Sequence, residues 1–196
     1  MSALIVAKHN QPVVAEGHDQ LKQLHLPMQG GALPIFYTAF DASQFRDDMY
    51  GHAKIMRPEH IERSVLKRRA EYFYGRLCAQ HALQKLGLSD QTIETGPCRA
   101  PQWPAHVLGS ISHTKDFAAA TAIYADQYRG LGIDVEVMVT DENRDALMNL
   151  AVSRSELNHL RTMASSLPFE LLLTIVFSAK ESFFKAAFPT VGRYFD

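Results

Sequence analysis

The pattern of hydrophobic and polar positions along the chain predicts two long helices joined by several short strands. Apolar residues recur at helical spacing over residues 58–86 and again over residues 169–188. Pro58 suits a first helical turn and Gly87 suits a C-terminal stop, so we predict one continuous helix over residues 58–86. Residues 177–188 contain no Pro or Gly, which favours an uninterrupted second helix.

Shorter apolar stretches predict strands. Residues 35–40 and 117–125 are apolar runs of strand length, and residues 131–137 alternate strictly between apolar and polar side chains. The apolar face of this last strand consists of Leu131, Ile133, Val135 and Val137. Asp134 and Glu136 lie on the opposite face, about 7 Å apart along the strand.

The remaining segments predict connections and shorter helices. Residues 1–35 indicate strands and loops, and residues 41–56 a polar connection. Residues 141–163 predict one or two helices, with Thr140 or Asp141 as N-cap and a capping box from Ser153 to Glu156. A boundary near Gln127 would divide the chain into two lobes, residues 1–127 and 128–196, each with strands and one principal helix.

Composition and charge exclude several classes of function. The chain has 196 residues and a net charge of −1, so we expect no general attraction to nucleic acid or to an anionic membrane. No apolar run has the length of a transmembrane helix, and we expect a cytoplasmic protein. Cys78 and Cys98 are not in a CxxC arrangement, which argues against a disulfide framework or a structural zinc site. Because the net charge is close to zero, any recognition of anions must depend on a local group of basic residues.

Two charged patterns suggest a site for a phosphate and a cation. Arg68 and Arg76 point the same way on the first predicted helix, and two such arginines can bind one phosphate through charge-assisted hydrogen bonds. The alternative is a solvated basic face neutralised in part by Glu71. Asp134 and Glu136 repel each other unless a cation such as Mg²⁺ lies between them. The polar face of an edge strand is the alternative there.

The second predicted helix carries a further charged pair. Glu181 and Lys185 share one face at i, i+4, with Lys180 beside them. An amphipathic core helix with a surface Glu181–Lys185 salt bridge is the simplest alternative. An apolar wall of phenylalanines shares these turns, and we expect it to pack in the core: Phe177, Phe183, Phe184 and Phe188.

Five motifs occur in a fixed order, and together they resemble one family. They are a KRRxE…GR segment at residues 67–76, RxPxWP at 99–104, GSISH at 109–113, GxDxE at 132–136 and FxxKESxxK at 177–185. This combination resembles the Sfp-type 4'-phosphopantetheinyl transferases, in particular the branch typified by component D of enterobactin synthetase. The resemblance spans residues 57–193.

The resemblance implies a fold and an activity. The fold would be α+β, with two pseudo-symmetric lobes, each a small, mainly antiparallel sheet packed by a long helix, and an active site between them. The activity would be Mg²⁺-dependent transfer of the 4'-phosphopantetheine group of coenzyme A to a serine of an apo carrier protein. The branch resemblance favours a carrier in siderophore or nonribosomal peptide biosynthesis, and we expect a monomer without a nucleic acid partner.

The same resemblance assigns roles to residues. Asp134, Glu136 and Glu181 would bind Mg²⁺, and the serine proton would pass to Glu181 or to a metal-bound water. His113 and Lys185 would contact the pyrophosphate, and Lys185 would also assist the departing group. Contacts with coenzyme A are thus expected from Arg68, Arg76, Arg99, His113, Lys180 and Lys185, of which Arg68 and Arg76 would hold the 3'-phosphate. The catalytic residues would be Glu181, Lys185 and His113.

Two departures from the family pattern modify these expectations. His106 stands where the branch commonly has glycine, which predicts a different bend in the loop. Family members normally continue for several tens of residues beyond the second helix, so we expect a truncated chain or an interrupted gene. Two other functions stay open: a Mg²⁺-dependent coenzyme A or nucleotide pyrophosphatase, and an inactive remnant that binds coenzyme A or a carrier without turnover.

Overall fold

The computed structural model describes residues 2–7, 21–28, 31–126 and 128–191. The strands are β1 (Ser2–Ala7), β2 (Lys22–Met28), β3 (Gly31–Ala39), β4 (Glu94–Thr95), β5 (Pro101–Gln102), β6 (Val107–His113), β7 (Phe117–Tyr124) and β8 (Gly132–Val137). The helices are α1 (Asp48–His52), α2 (Glu59–Glu62), α3 (Leu66–Lys85), α4 (Asp141–Ala151), α5 (Arg154–Met163) and α6 (Phe169–Val191). None of the helices in these ranges is both long and apolar enough to cross a membrane.

A four-stranded antiparallel sheet and helix α3 form the first packed layer pair. The sheet has the strand order β2-β3-β7-β6, and α3 lies against β3, β6 and β7. Small residues of β7 such as Ala120 let the aromatic side chains of α3 approach closely. Phe40, just beyond β3, stacks on Tyr74 of α3 with ring centroids 4.4 Å apart. This aromatic packing fixes α3 against the sheet, and the position of α3 determines where its basic side chains lie.

The opposite face of the sheet is covered by a second pair of strands. β1 and β8 pair in parallel, and Ile133 and Val135 of β8 pack against Leu33 and Ile35 of β3. Helix α6 lies on β8 and β1 from the outside. A Cβ added at Gly132 would overlap the carbonyl oxygen of Ser182 in α6, so glycine is required for this close approach. Strand β8 is therefore held between the sheet and α6.

The α+β class is confirmed, and so are most of the predicted elements. The predicted helix over residues 177–188 is part of α6, the alternating strand is β8, and the capping box from Ser153 to Glu156 begins α5. Thr140 is the N-cap of α4, and the polar connection contains the short helix α1. The boundary at Gln127 lies outside the described residues, and the division into two lobes stays a prediction.

The prediction of one continuous helix over residues 58–86 is wrong. The chain forms α2, leaves helical geometry at Val65, which is extended at φ −61° and ψ 155°, and then enters α3. The hydroxyl of Ser64, two residues beyond α2, donates to the carbonyl of His60 at 2.7 Å, a side-chain bond of the kind that competes with helical backbone bonds. Pro58 is the N-cap of the short helix, whereas Gly87, at φ 78°, lies in the left-handed region expected at a helix stop.

The proline-rich loop before β6 has unusual backbone geometry. Cys98, Arg99 and His106 have φ angles of 55°, 61° and 61°, in the left-handed region that favours glycine. His106 thus adopts the conformation suited to the glycine that is common in the branch, and the predicted difference in the bend stays a prediction. A Cβ added at Gly109 would overlap the ring of Trp103, so the loop packs directly onto β6.

Candidate functional site: an acidic cluster beside an arginine-lined cleft

The buried carboxylate of Asp134 is the centre of the acidic cluster. Asp134 is only 2% exposed, and each of its oxygens accepts hydrogen bonds. Ser112 Oγ and Lys185 Nζ donate to Oδ1 at 2.9 Å and 2.7 Å, and Ser178 Oγ donates to Oδ2 at 2.8 Å. A carboxylate buried to this degree requires such partners. Strand β6 and helix α6 therefore both orient the carboxylate that β8 carries.

Glu136 lies close enough to Asp134 and to Glu181 to interact electrostatically with both. Burial, followed by the charge of Asp134, raises the pKa of Glu136 to about 7. Glu181 raises this pKa further, and the ammonium of Lys185 opposes the rise. The structure thus brings the three predicted carboxylates into one group, with Lys185 beside them.

The donor set of this cluster suits a hard cation such as Mg²⁺, which takes oxygen ligands. Burial, and then repulsion by Asp134, raises the pKa of Glu136, and a cation beside this carboxylate would favour its charged form. Within the described ranges, however, no three acidic, His or Cys side chains have a ready metal-binding arrangement. Lys185 supplies the positive charge at Asp134 in this structure. The residues therefore fit the cation in their chemistry, and binding would require rearrangement of their side chains.

A cleft of about 140 Å³ lies against α3 and the end of β6. It is lined by Arg68, Glu71, Tyr72, Gly75, Arg76, Arg99, Pro101, Ile111 and His113. Four of the residues predicted to contact coenzyme A thus meet here, although they come from α3, the proline-rich loop and β6. The positive charge of the three arginines exceeds the negative charge of Glu71 and makes the cleft a candidate site for an anion.

Arg76 is the most deeply buried of these cationic residues. Its side chain lies over the ring of Tyr72, with the guanidinium carbon 4.9 Å from the ring centroid. Nη2 donates to the carbonyl of Glu94 and to Oγ1 of Thr95, both at 3.2 Å. Nη1 is buried and has no hydrogen-bond partner among the described residues. An unpaired buried donor on a guanidinium is costly, and an anion would satisfy it.

His113 connects the cleft to the acidic cluster. Arg68 Nη1 donates to Nε2 of His113 at 2.9 Å; because a guanidinium can only donate, the ring accepts there and is neutral, with its proton on Nδ1. Burial lowers the pKa of His113, Glu71 raises it, and Arg68 and Lys185 lower it further, so the 3.9 Å approach of Nδ1 to Glu71 is not an ion pair. His113 directly follows Ser112, which contacts Asp134.

Two sequence predictions about α6 are not reproduced. Lys180 is not brought to the cluster: Nζ donates to the Ala151 carbonyl at 2.7 Å and to Glu156 Oε2 at 2.8 Å. The bond from Lys180, with those from Ser153, lowers the pKa of Glu156 to about 2. Phe183 is 60% exposed, so it lies outside the core expected for the phenylalanine wall.

The alternative of a Glu181–Lys185 salt bridge is replaced by a different pairing. Lys185 pairs with Asp134 across the boundary between α6 and β8, and its ammonium also donates to Ser112 Oγ at 3.0 Å. The sequence pattern does not predict the contacts of Ser112 and Ser178 with Asp134. Both serines lie inside motifs, at residues 109–113 and 177–185, but their partners belong to a distant strand.

Two family models match the chain in succession. The model described as "4'-phosphopantetheinyl transferase N-terminal domain" matches residues 57–123. The model described as "4'-phosphopantetheinyl transferase superfamily" matches residues 130–196. The arginine-lined cleft lies in the first match, and the three carboxylates lie in the second.

Curated relatives show the same similarity. Enterobactin synthase component D of Salmonella typhimurium is 36% identical over 165 residues, which cover 83% of this chain and 65% of the relative. The protein of the same name from Escherichia coli K12 is 32% identical, with coverage of 85% and 77%. The 4'-phosphopantetheinyl transferase Svp of Streptomyces mobaraensis is 36% identical, with coverage of 70% and 55%. The aligned region thus spans about two thirds of the Salmonella relative and about half of Svp.

Proposed function

Because the chain belongs to the 4'-phosphopantetheinyl transferase superfamily, we propose that it transfers the 4'-phosphopantetheine group of coenzyme A to a serine of an apo carrier protein. The observation that carries the proposal is the continuity of the arginine-lined cleft with the acidic cluster through β6. Coenzyme A has two anionic parts, a 3'-phosphate and a pyrophosphate. A site with a basic cleft on one side and a cation-binding cluster on the other matches both parts.

The basic cleft would bind the 3'-phosphate. Arg68 and Arg76 can donate several hydrogen bonds to one phosphate, and the buried Nη1 of Arg76 would gain a partner. Arg99 is exposed at the rim and would contact the nucleotide. Once Arg68 turns to a phosphate, Nε2 of His113 is released from its present donor and becomes available to the pyrophosphate. The lowered pKa of His113 would then rise, because phosphate charge favours the protonated ring.

The acidic cluster would hold Mg²⁺ through Asp134, Glu136 and Glu181. When bound, Mg²⁺ would neutralise the charge that develops on the departing phosphate. Lys185 lies beside Asp134 and would donate to the pyrophosphate and to the departing group. These assignments are supported by the interactions among the three carboxylates and Lys185, which already affect the pKa of Glu136.

The proposed reaction is a nucleophilic substitution at phosphorus. The serine oxygen of the carrier attacks the phosphorus that carries pantetheine, and a new P–O bond forms. The bond from that phosphorus to the bridging oxygen breaks, and 3',5'-ADP leaves. The serine proton passes either to Glu181 or to water.

The relatives support a proposal for the class of carrier. Two of the three relatives described above are named enterobactin synthase component D, which supports a carrier of siderophore biosynthesis. The two family models match on either side of Gln127, which supports a first lobe of residues 1–127 and a second of residues 128–196. We expect a cytoplasmic monomer.

The test is incubation of the protein with Mg²⁺, coenzyme A and a panel of apo carrier proteins, followed by intact-mass measurement of each carrier. We expect at least one carrier to gain the mass of one phosphopantetheine group. Glu181→Gln should abolish this gain. Cleavage of coenzyme A without any carrier would instead indicate a pyrophosphatase, and binding without either reaction would indicate an inactive remnant.

A further inference from the structure

Strands β6 and β8 are linked by serine hydroxyls. The paired strands among the described residues place β6 beside β7 and β8 beside β1, with no ladder between β6 and β8. Instead, the Ile133 N–H donates to Ser110 Oγ at 3.0 Å, and the Val135 N–H donates to Ser112 Oγ at 3.1 Å. The two contacts repeat at the two-residue period of both strands. The two serines therefore link β6 of the sheet directly to the backbone of β8.

The two serines differ in their other hydrogen bonds. Ser110 Oγ donates to the carbonyl of Ile133 at 3.5 Å and, among the described residues, makes no hydrogen bond to a charged group. Ser112 Oγ donates to Asp134 Oδ1 at 2.9 Å and accepts from Lys185 Nζ at 3.0 Å. A hydroxyl has one donor and two acceptor positions, and Ser112 uses all three. Because Val135 and Lys185 supply both donors, the proton of Ser112 is directed to Asp134.

We infer that Ser112 is a positioning residue, which fixes the Asp134 carboxylate and the Lys185 ammonium relative to each other and to the backbone of β8. This rests on the proposed function, since the positioned groups are its proposed metal ligand and phosphate contact. Ser178 holds the second oxygen of Asp134 from α6. Asp134 thus accepts a serine hydrogen bond at each oxygen, and of the two serines only Ser112 also contacts Lys185.

The matched comparison is Ser112→Ala against Ser110→Ala. Both substitutions remove one hydroxyl link between β6 and β8, but only the first removes contacts with Asp134 and Lys185. Both variants should have a lower melting temperature, because each leaves a strand N–H without its acceptor. Ser112→Thr, which keeps the hydroxyl, serves as the rescue variant. Ser112→Cys, close to serine in volume, is a second removal variant if Ser112→Ala is too unstable.

The primary readout is binding of Mn²⁺ without coenzyme A, measured from the electron paramagnetic resonance signal of the free ion. Mn²⁺ takes the same hard oxygen ligands as Mg²⁺. Loss of an orienting contact to a ligand typically weakens metal binding by roughly 10-fold or more. We expect a loss of this size in Ser112→Ala, recovery in Ser112→Thr, and wild-type affinity in Ser110→Ala.

Several results would overturn the inference. These are equal losses of Mn²⁺ affinity in the two Ala variants, unchanged affinity in the Ser112 removal variants, or no Mn²⁺ binding by the wild type. A wild-type protein that binds Mn²⁺ but modifies no carrier would reject the proposed transfer while leaving the positioning role supported by the titration. An active wild type with unchanged Ser112→Ala would reject only the positioning role.

Discussion

Replacing Arg68 with alanine should weaken binding of the 3'-phosphate of coenzyme A selectively. Hydrogen bonds to charged groups contribute about 1.5–3 kcal/mol. The side chain of Arg68 is 44% exposed and must release His113 and Glu71 to reach a ligand, so we expect the lower end of that range. A loss of about 1.5 kcal/mol corresponds to an increase in Kd of roughly tenfold. The assay is isothermal titration calorimetry with coenzyme A and with 3'-dephospho-coenzyme A at one ionic strength.

Titration with both ligands distinguishes a contact with the 3'-phosphate from a contact with the pyrophosphate. Arg68→Ala should raise the Kd of coenzyme A and leave that of the dephospho compound nearly unchanged. Lys67→Ala is the matched control. Lys67 carries the same charge as Arg68 and is its neighbour in sequence, but its side chain does not line the cleft. Equal losses for both ligands would assign Arg68 to another phosphate. Equal effects of the two substitutions would reduce the role of Arg68 to general electrostatic attraction.

Three further predictions concern pH, packing and α6. The pKa of Glu136 is raised from 4.5 to about 7, so its contribution to stability is present below pH 4.5 and lost as the pH rises to about 7. In urea unfolding, Glu136→Gln should reduce the decline of the free energy of unfolding over this pH range. An unchanged decline would contradict the raised pKa. Gly132→Ala should lower the free energy of unfolding by about 1–3 kcal/mol, because the added Cβ would overlap α6. Gly51→Ala is the control and should not destabilise the protein, because a Cβ at Gly51 meets no atom within 4 Å. Equal unfolding curves for the two variants would refute the close approach of β8 and α6. Lys180→Met should cost at most about 1 kcal/mol of stability and leave the affinity for coenzyme A unchanged in calorimetry, whereas Lys185→Met should weaken that affinity. A loss of affinity in Lys180→Met would indicate that Lys180 contacts a phosphate of coenzyme A.

The sequence predicted the charged residues of the site because their spacing is regular. Strict alternation put Asp134 and Glu136 on one face of a strand, and that strand is β8. Helical spacing put Arg68 and Arg76 on one side of α3, and both line the cleft. The order of the motifs, through the family resemblance, added Glu181 to the two strand carboxylates. That Glu181 affects the pKa of Glu136 agrees with this grouping.

Contacts that depend on tertiary packing were not predictable from spacing. Ser110 and Ser112 are small residues on an edge strand, and nothing local indicates that their hydroxyls replace a backbone ladder. Lys180 has a position in its motif beside Glu181, but its ammonium reaches Glu156 because α5 packs against α6. The break between α2 and α3 contains a hydrogen bond from the Ser64 hydroxyl to the His60 carbonyl, which the apolar periodicity of residues 58–86 does not indicate.

The central claim is that a single coenzyme A spans the arginine-lined cleft and the acidic cluster. The most direct test is a crystal structure of the protein with coenzyme A and Mg²⁺. We predict the 3'-phosphate within hydrogen-bond distance of Arg68 and Arg76, and the pyrophosphate beside Asp134, Glu136 and Glu181 with the cation between them. A 3'-phosphate bound away from both arginines, or a pyrophosphate remote from the three carboxylates, would contradict it.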